Sequence, residues 1–342
     1  MKKVYVFLFL LLLPMTLSAN CYTRCNGWWG DIDFLLLWRN EHEVPSVIIE
    51  VVEEQEEDIV LFKGVNFERC PSAGARVDFG LWLCPGIGVG VGIFGLADWE
   101  ASARGCIDPF ELDGFFIEKF DIRYDVKSSL WGGDVYLRHS LIECFPFHLD
   151  VLWGFFYTEI NDTVRLRSEI SFDPEIQPIP FISNTFFLED RFIVDNDFYA
   201  GMIGLHGGFH GKCWDLTLVG KVAAGNMCRK ARDDTDTLLI ERIQFVNKES
   251  ADGSCIPCES RKLVKNKFAV APMGEARFQY WICDWIAATA GYTLYYWNNI
   301  ILADEEVILR ICEDVPLLNP SFKFRDTYYW AQGLTVGFHF YY

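Results

Sequence analysis

The stretch Tyr329-Trp330-Ala331-Gln332-Gly333-Leu334-Thr335-Val336-Gly337-Phe338-His339-Phe340-Tyr341-Tyr342 decides how the rest of the chain reads. Trp330, Leu334, Val336, Phe338, Phe340 and Tyr342 recur at every second position, with Gln332 the one polar interruption. Between them stand Ala331, Gly333, Thr335, Gly337, His339 and Tyr341, which are small or partly polar. A period of two is the period of a strand, here with one apolar face and one tolerant face. Strands of transmembrane barrels carry apolar residues outward and polar residues inward. On this stretch alone, the last strand of a soluble sandwich reads the same way.

The other end of the chain separates these two readings. Met1-Lys2-Lys3 is basic, Val4–Leu13 is apolar, and Leu17-Ser18-Ala19 offers small residues for cleavage. The apolar run of about ten residues is too short to span a bilayer and reads as a cleavable signal peptide over residues 1–19. Residues 20–342 are then expected to form one domain. Asn20 precedes Cys21 where a lipoprotein signal needs a small residue, so lipidation is not expected. The chain is 51% hydrophobic and 16% aromatic with 27 Gly. Its remaining apolar residues alternate instead of running continuously, which suits a barrel rather than spanning helices. A net charge of −18 argues against nucleic-acid partners. The 12 cysteines, an even number in an exported chain, permit disulfides.

Ten segments alternate as the last one does: Asp31–Trp38, Gly74–Leu83, Ile87–Trp99, Leu130–Ser140, Phe147–Thr158, Phe198–His210, Trp214–Gly225, Phe268–Tyr280, Asp284–Trp297 and the closing strand. Pro272 falls on the apolar face of the eighth, where a ladder hydrogen bond would be lost. The connections Leu83–Gly86, Leu141–Pro146, Gly211–Cys213 and Trp281–Cys283 are short. Arg39–Ala73, Glu100–Ser129, Glu159–Asp197, Asn226–Lys267 and Asn298–Tyr328 are long. This strict alternation predicts an all-β fold: a transmembrane antiparallel up-and-down β-barrel with short periplasmic turns and long external loops. The strand number is ten, or twelve if Ile59–Phe67 and Phe115–Val126 also span. Aromatic residues predict two interfacial girdles. Trp99, Tyr157, Tyr199, Tyr296 and Tyr329 lie beside long loops. Trp82, Phe147, Trp214, Tyr280, Trp281, Trp285, Phe340 and Tyr342 lie beside short turns or the chain ends.

The closing Trp330-Ala331-Gln332-Gly333-Leu334, after Phe324-Arg325-Asp326-Thr327, resembles the end of an outer-membrane β-barrel family abundant in planctomycetes and found in chlamydia-like bacteria. Ser129–Asp134, Asp197–Gly201, Gly220–Asn226 and Gly291–Trp297 resemble it in the same order. The resemblance implies an outer-membrane barrel with no established activity and no catalytic residues to carry over. The cysteines also resemble those of the disulfide-linked envelopes of chlamydia-like bacteria, which is analogy alone.

The chemistry expected of such a barrel lies inside it. Asp78, Asp134, Arg138, Asp150, Asp215, Lys221, Glu275 and Arg277 fall on tolerant faces and are expected to face the lumen, as are Asp31 and Asp33. Gly88, Gly90 and Gly92 leave room locally or allow curvature. Cys84, Cys144, Cys213 and Cys283 each sit in a different short turn, and Cys255 and Cys258 in a long loop; these are the candidate disulfide cysteines. A single C-x-x-C without a second pair is too little for a metal site, and no metal or other cofactor is expected. His139, His148, His206, His210 and His339 lie near the predicted periplasmic strand ends, and His42 lies in a long loop. Ten-stranded outer-membrane proteases resemble this architecture but place a His at the outer rim. With no such His and no Ser–His–Asp or paired-carboxylate signature, an enzyme is not expected. The acidic runs Glu53–Asp58 and Asp233–Asp236 read as solvated surface without EF-hand spacing. The expected role is a structural envelope barrel or a narrow porin for small solutes. The alternative is a surface adhesion or binding protein acting through long acidic loops. Expected partners are outer-membrane lipid, the barrel-assembly machinery through the closing strand, and disulfide-linked envelope proteins.

Overall fold

The computed structural model describes residues 27–40, 43–44, 47–49, 59–62, 65–66, 71–107, 110–112, 115–172, 185–236, 261–303 and 324–342. Ten strands form the wall: β1 Gly27–Arg39, β2 Ser72–Cys84, β3 Ile87–Ile107, β4 Phe115–Cys144, β5 Phe147–Phe172, β6 Thr185–His210, β7 Trp214–Asp236, β8 Arg261–Cys283, β9 Ile286–Ile300 and β10 Thr327–Tyr341. Each pairs antiparallel with its neighbours in sequence, and β10 pairs with β1 from Trp29–Tyr341 to Arg39–Ala331. Trp28 and Tyr342 extend the seam with backbone bonds of 2.8 and 3.0 Å. Closure removes the sheet edges from the part of the wall that spans the bilayer, which is what a bilayer demands of a β structure.

Alternation sets the faces. Ile32, Phe34, Phe79, Ile93, Phe155, Ile203, Leu218, Leu334 and Val336 point outward and are exposed. The neighbours Asp33, Leu35 and Leu37 point inward and are buried. Two outward aromatic girdles follow. Toward the external side, Trp131–Tyr157, Tyr157–Tyr199 and Tyr296–Tyr328 pack at 5.2, 5.0 and 5.9 Å. At the turn side, Phe147–Phe209–Trp214–Phe278 form a chain at 5.0, 5.6 and 6.0 Å. Three residues expected in these girdles belong elsewhere. Trp82 and Tyr329 are buried on the inward face, and Trp281 lines the interior. Position beside a turn does not decide membership; strand parity does. Gln332 faces outward between Trp38 and Leu294, one pleat below the Trp330–Tyr296 pair, so it sits just inside the outer girdle.

Much of what reads as loop is strand. The expected loops Glu100–Ser129 and Glu159–Asp197 are largely outward extensions of β3 to β6, the described ends of Asn226–Lys267 extend β7 and β8, and β4 alone runs for 30 residues. A membrane strand needs only about 9–11 residues. The extensions keep an apolar inner face, where Ile122, Tyr124, Val126, Ile160, Val164, Phe192 and Val194 are buried. Ion pairs such as Lys119–Glu169 at 3.0 Å and Lys230–Asp197 at 2.6 Å lace them together. At the external end of β10, hydrogen bonds from Lys267 and Arg229 hold the Asp326 carboxyl below its usual value. Phe115–Val126 belongs to β4, and Ile59–Phe62 pairs with Val47–Ile49 in a separate small ribbon. Neither adds a spanning strand, so the number is ten.

Pro272 is accommodated by ending a ladder. The β8–β9 pairing runs from Cys283–Ile286 to Met273–Tyr295 and stops there. Beyond it, Asn298 Oδ1 accepts from the Val270 amide at 2.8 Å, and Asn299 Nδ2 donates to the Phe268 carbonyl at 3.0 Å. Asn299 holds a left-handed φ of 56° to make this reach. The two side chains replace backbone bonds that Pro272 interrupts.

Candidate functional site: a divided lumen

The outer half of the lumen is packed with apolar side chains. Phe94 on β3 stacks on Tyr295 of β9 at 4.8 Å. These strands are four apart round the ring, so this contact crosses the barrel. Phe156, Phe198, Trp297 and Tyr329 continue the aromatic layer at 5.8–6.4 Å. Leu37, Leu130, Ile160 and Met227 fill in around it and are buried. After β9 the chain turns into the barrel. Ile301, Leu302 and Ala303 are buried. Asn196 on β6 holds Ile301 by both its amide and its carbonyl, at 2.9 and 2.8 Å. Asp162 on β5 accepts from the Ala303 amide at 2.9 Å. These bonds satisfy the amide and carbonyl of Ile301 and the amide of Ala303 where the backbone enters an apolar interior.

The inner half is a cavity of about 480 Å³ whose lining reaches the turn residues Phe145, Gly211 and Lys212. Charge pairs cross it. Arg76 on β2 binds Glu275 on β8 through two bonds of 2.7 Å, and also binds Asp33 at 2.7 Å. Arg277 bonds Asp33 at 2.9 Å, Glu275 at 2.8 Å through Nε, and Asp31. Lys221 on β7 reaches Asp134 on β4 at 2.6 Å. Asp78 accepts from Trp29 Nε1 at 3.2 Å and Tyr136 Oη at 2.8 Å. Charges withdrawn from water persist only when paired in this way. The glycines opposite make room: a Cβ on Gly80 would meet the Trp29 indole at 2.0 Å, and one on Gly90 the Tyr136 ring at 2.5 Å.

A second group sits at the inner rim. Arg138 bonds Asp150 through Nε at 2.7 Å and His206 Nδ1 at 2.9 Å. His148 Nδ1 meets His210 Nε2 at 2.7 Å, and His148 Nε2 meets His206 Nδ1 at 3.3 Å. His210 Nδ1 donates to Asp215 at 2.9 Å, whose other oxygen accepts from Trp281 Nε1 at 2.8 Å. His339 meets Asp31 at 2.9 Å. The cluster's signal in the sequence is His148-x-Asp150 on one strand and His206-x-x-x-His210 on the next, all at inward parity. Pairing brings Asp150 opposite His206 and His148 opposite Gly208. The spacing of 58 residues between His148 and His206 hides this in the sequence.

The structure therefore places Asp78, Asp134, Arg138, Asp150, Asp215, Lys221, Glu275 and Arg277 on the inner wall around one interior. It does not pair the cysteines. Cys84, Cys144, Cys213 and Cys283 stand at the ends of different hairpins and form no disulfide among the described residues. Cys106 and Cys228, expected in loops, lie on the extensions of β3 and β7. Cys255, Cys258, His42, the Glu53–Asp58 run and the expected signal peptide over residues 1–19 lie outside the described residues.

The model of the beta barrel porin-7 (BBP7) family matches residues 120–342. The chain belongs to the BBP7 family. Its matched region begins on β4 and takes in the histidine cluster and the closing strand. No curated protein sequence matches the chain. Among solved structures, the outer membrane protease OmpT from Escherichia coli is similar with a TM-score of 0.51 and 12% identity, covering 94% of this chain and 99% of that one. That likeness is one of fold alone. The toluene transporter TodX from Pseudomonas putida matches with a TM-score of 0.25 and 8% identity over 96% of this chain and 93% of that one. OmpT of Vibrio cholerae, an outer membrane protein, matches with 0.18 and 8% over 92% and 98%. This BBP7 protein is an outer-membrane β-barrel, with its described cavity histidines at the turn end of the lumen.

Proposed function

We propose that this barrel is a closed structural element of the envelope and not an open diffusion pore. The observation that carries this is the apolar layer across the outer lumen, from Phe198 through Phe94 and Tyr295 to Tyr329, with Ile301–Ala303 tucked behind it. An ion crossing that layer would shed its water without gaining partners. The cavity below it serves as a polar interior reached from the periplasm. Planar-bilayer recording of the refolded protein tests the reading. No conductance is expected, and regular single-channel steps from the parent protein would sink it in favour of a narrow porin.

The exposed thiols of Cys84, Cys213 and Cys283, each at a different periplasmic turn, support an envelope role through disulfide links to neighbouring proteins. Purified outer membranes run with and without reductant would show this as bands that collapse to monomer. An unchanged monomer band removes it. A second reading, surface binding, draws on the charged extensions of β3 to β8 that stand beyond the membrane band. Deleting those extensions while keeping the barrel separates the two: surface binding would be lost with the envelope role intact.

A further inference from the structure

We propose that His148, His206 and Asp150 form a binding site for a divalent ion of the zinc class at the periplasmic rim of the lumen. Their three ligand atoms lie within 4.8 Å of one another. Ligands held about 2.0–2.1 Å from a tetrahedral ion lie about 3.3–3.4 Å from each other. His148 Nε2 and His206 Nδ1 are 3.3 Å apart, and His206 Nδ1 and Asp150 Oδ2 are 3.5 Å apart. Two edges of the coordination figure are therefore already built.

The tautomers point the same way. His210 donates through Nδ1 to the Asp215 carboxylate, so its Nε2 accepts. His148 then donates through Nδ1, which turns the lone pair of its Nε2 toward His206. His206 Nδ1 also presents a lone pair, because it accepts from Arg138. With the Arg138 bond to His206 released, the two nitrogens lie 3.3 Å apart and can share an electrophile, either a proton or a metal ion. The relay Trp281–Asp215–His210–His148 is the kind of outer support that orients ligand histidines in metal sites. Gly208 keeps the place of the His148 ring open, since a Cβ there would lie 2.0 Å from Cε1.

Charge favours a cation. Asp31, Asp33, Asp78, Asp134, Asp150, Asp215 and Glu275 outnumber the buried cations Arg76, Arg138, Lys221 and Arg277 in this half of the lumen. Arg138 occupies Asp150 and His206 in this structure, so the ion competes with it. The guanidinium already packs against Trp29 and Trp82, whose ring centroids lie 5.2 and 5.3 Å away, and these contacts do not depend on its bonds to Asp150 and His206. Two imidazoles and one carboxylate suit zinc, cobalt or nickel and not magnesium or calcium. A bound ion would tie β5 to β6 next to the turns.

The test titrates the refolded, untagged chain in detergent with Co²⁺ and then Zn²⁺. The expected result is one Co²⁺ per chain, with the visible absorption of a four-coordinate site that Zn²⁺ displaces. His206→Gln and His148→Gln, each checked for folding by heat-dependent gel mobility, lose the band. His210→Ala keeps it but weakens Co²⁺ binding about 10- to 100-fold, through loss of the orienting bond. A folded parent that takes up no Co²⁺, leaving a proton between the rings, overturns the proposal. So does an undiminished band in a folded His206→Gln or His148→Gln variant.

Discussion

The two halves of the lumen share one wall and one alternation, yet they are filled by opposite means. The outer half is closed by aromatic and aliphatic packing, with Phe94, Tyr295 and Trp297 stacked across it. The inner half is held open by charges that bridge β2 to β8 and β4 to β7. Packing fills space and needs no partner of defined geometry. Ion pairs need one, and they leave gaps wherever their fixed geometry does not reach. The difference teaches that how a barrel lumen is filled rests on which inward residues occupy each level, and not on strand number.

The largest effect is expected where the outer layer is emptied. Trp297→Ala should cost about 3–5 kcal/mol, read from urea unfolding in detergent. It should also admit ions in bilayer recordings. A stable, silent Trp297→Ala would break the contrast, because the outer layer would then not be the seal. In the inner half, Arg277→Met leaves Asp31 without its guanidinium and Asp33 and Glu275 with Arg76 alone. A loss approaching about 3–5 kcal/mol is expected, with no new conductance. Asn196→Ala comes next. Both bonds to Ile301 go, for about 1–3 kcal/mol and a plug that loosens without leaving. Proteolysis of intact barrels at residues near 301 would report it. Smallest is Gly220→Ala, whose Cβ meets nothing within 4 Å on the lipid face; a change within about 0.5 kcal/mol is expected. Gly80→Ala, which would strike the Trp29 ring, should exceed it by more than 1 kcal/mol.

The barrel was legible because its wall obeys a local rule. Alternation in Ile32–Trp38 and Leu334–Phe340 names the lipid face whatever the partner strand, and the even count follows from short turns alternating with long connections. The charged lumen residues were legible for the same reason. The extensions of β3 to β8 were not, although Ile122, Tyr124, Val126, Ile160, Val164, Phe192 and Val194 alternate with polar residues there and are buried: their outer face carries charges instead of the apolar residues that mark a lipid-facing strand. Girdle membership was half legible: Tyr157 and Trp214 face outward, while Trp82, Trp281 and Tyr329 share their position near an end but have the opposite parity. The three glycines Gly88, Gly90 and Gly92 read only as space, and the structure shows whose space it is: Trp29, Tyr136 and Asp134 with Asp78.

By itself, the sequence determined a closed antiparallel wall, its lipid face, and the seam between β1 and β10. Each of these depends on side chains one or two residues apart. Only the tertiary structure decided that the lumen is divided, because Phe94 and Tyr295, Arg76 and Glu275, and His148 and His206 are distant in the chain. The first two pairs meet only when ten strands are bent into a ring of this circumference, and the third when β5 pairs with β6. The closing strand belongs to both accounts: its outward face was written in its alternation, and its inward Tyr329 joined an aromatic layer that no single strand could announce.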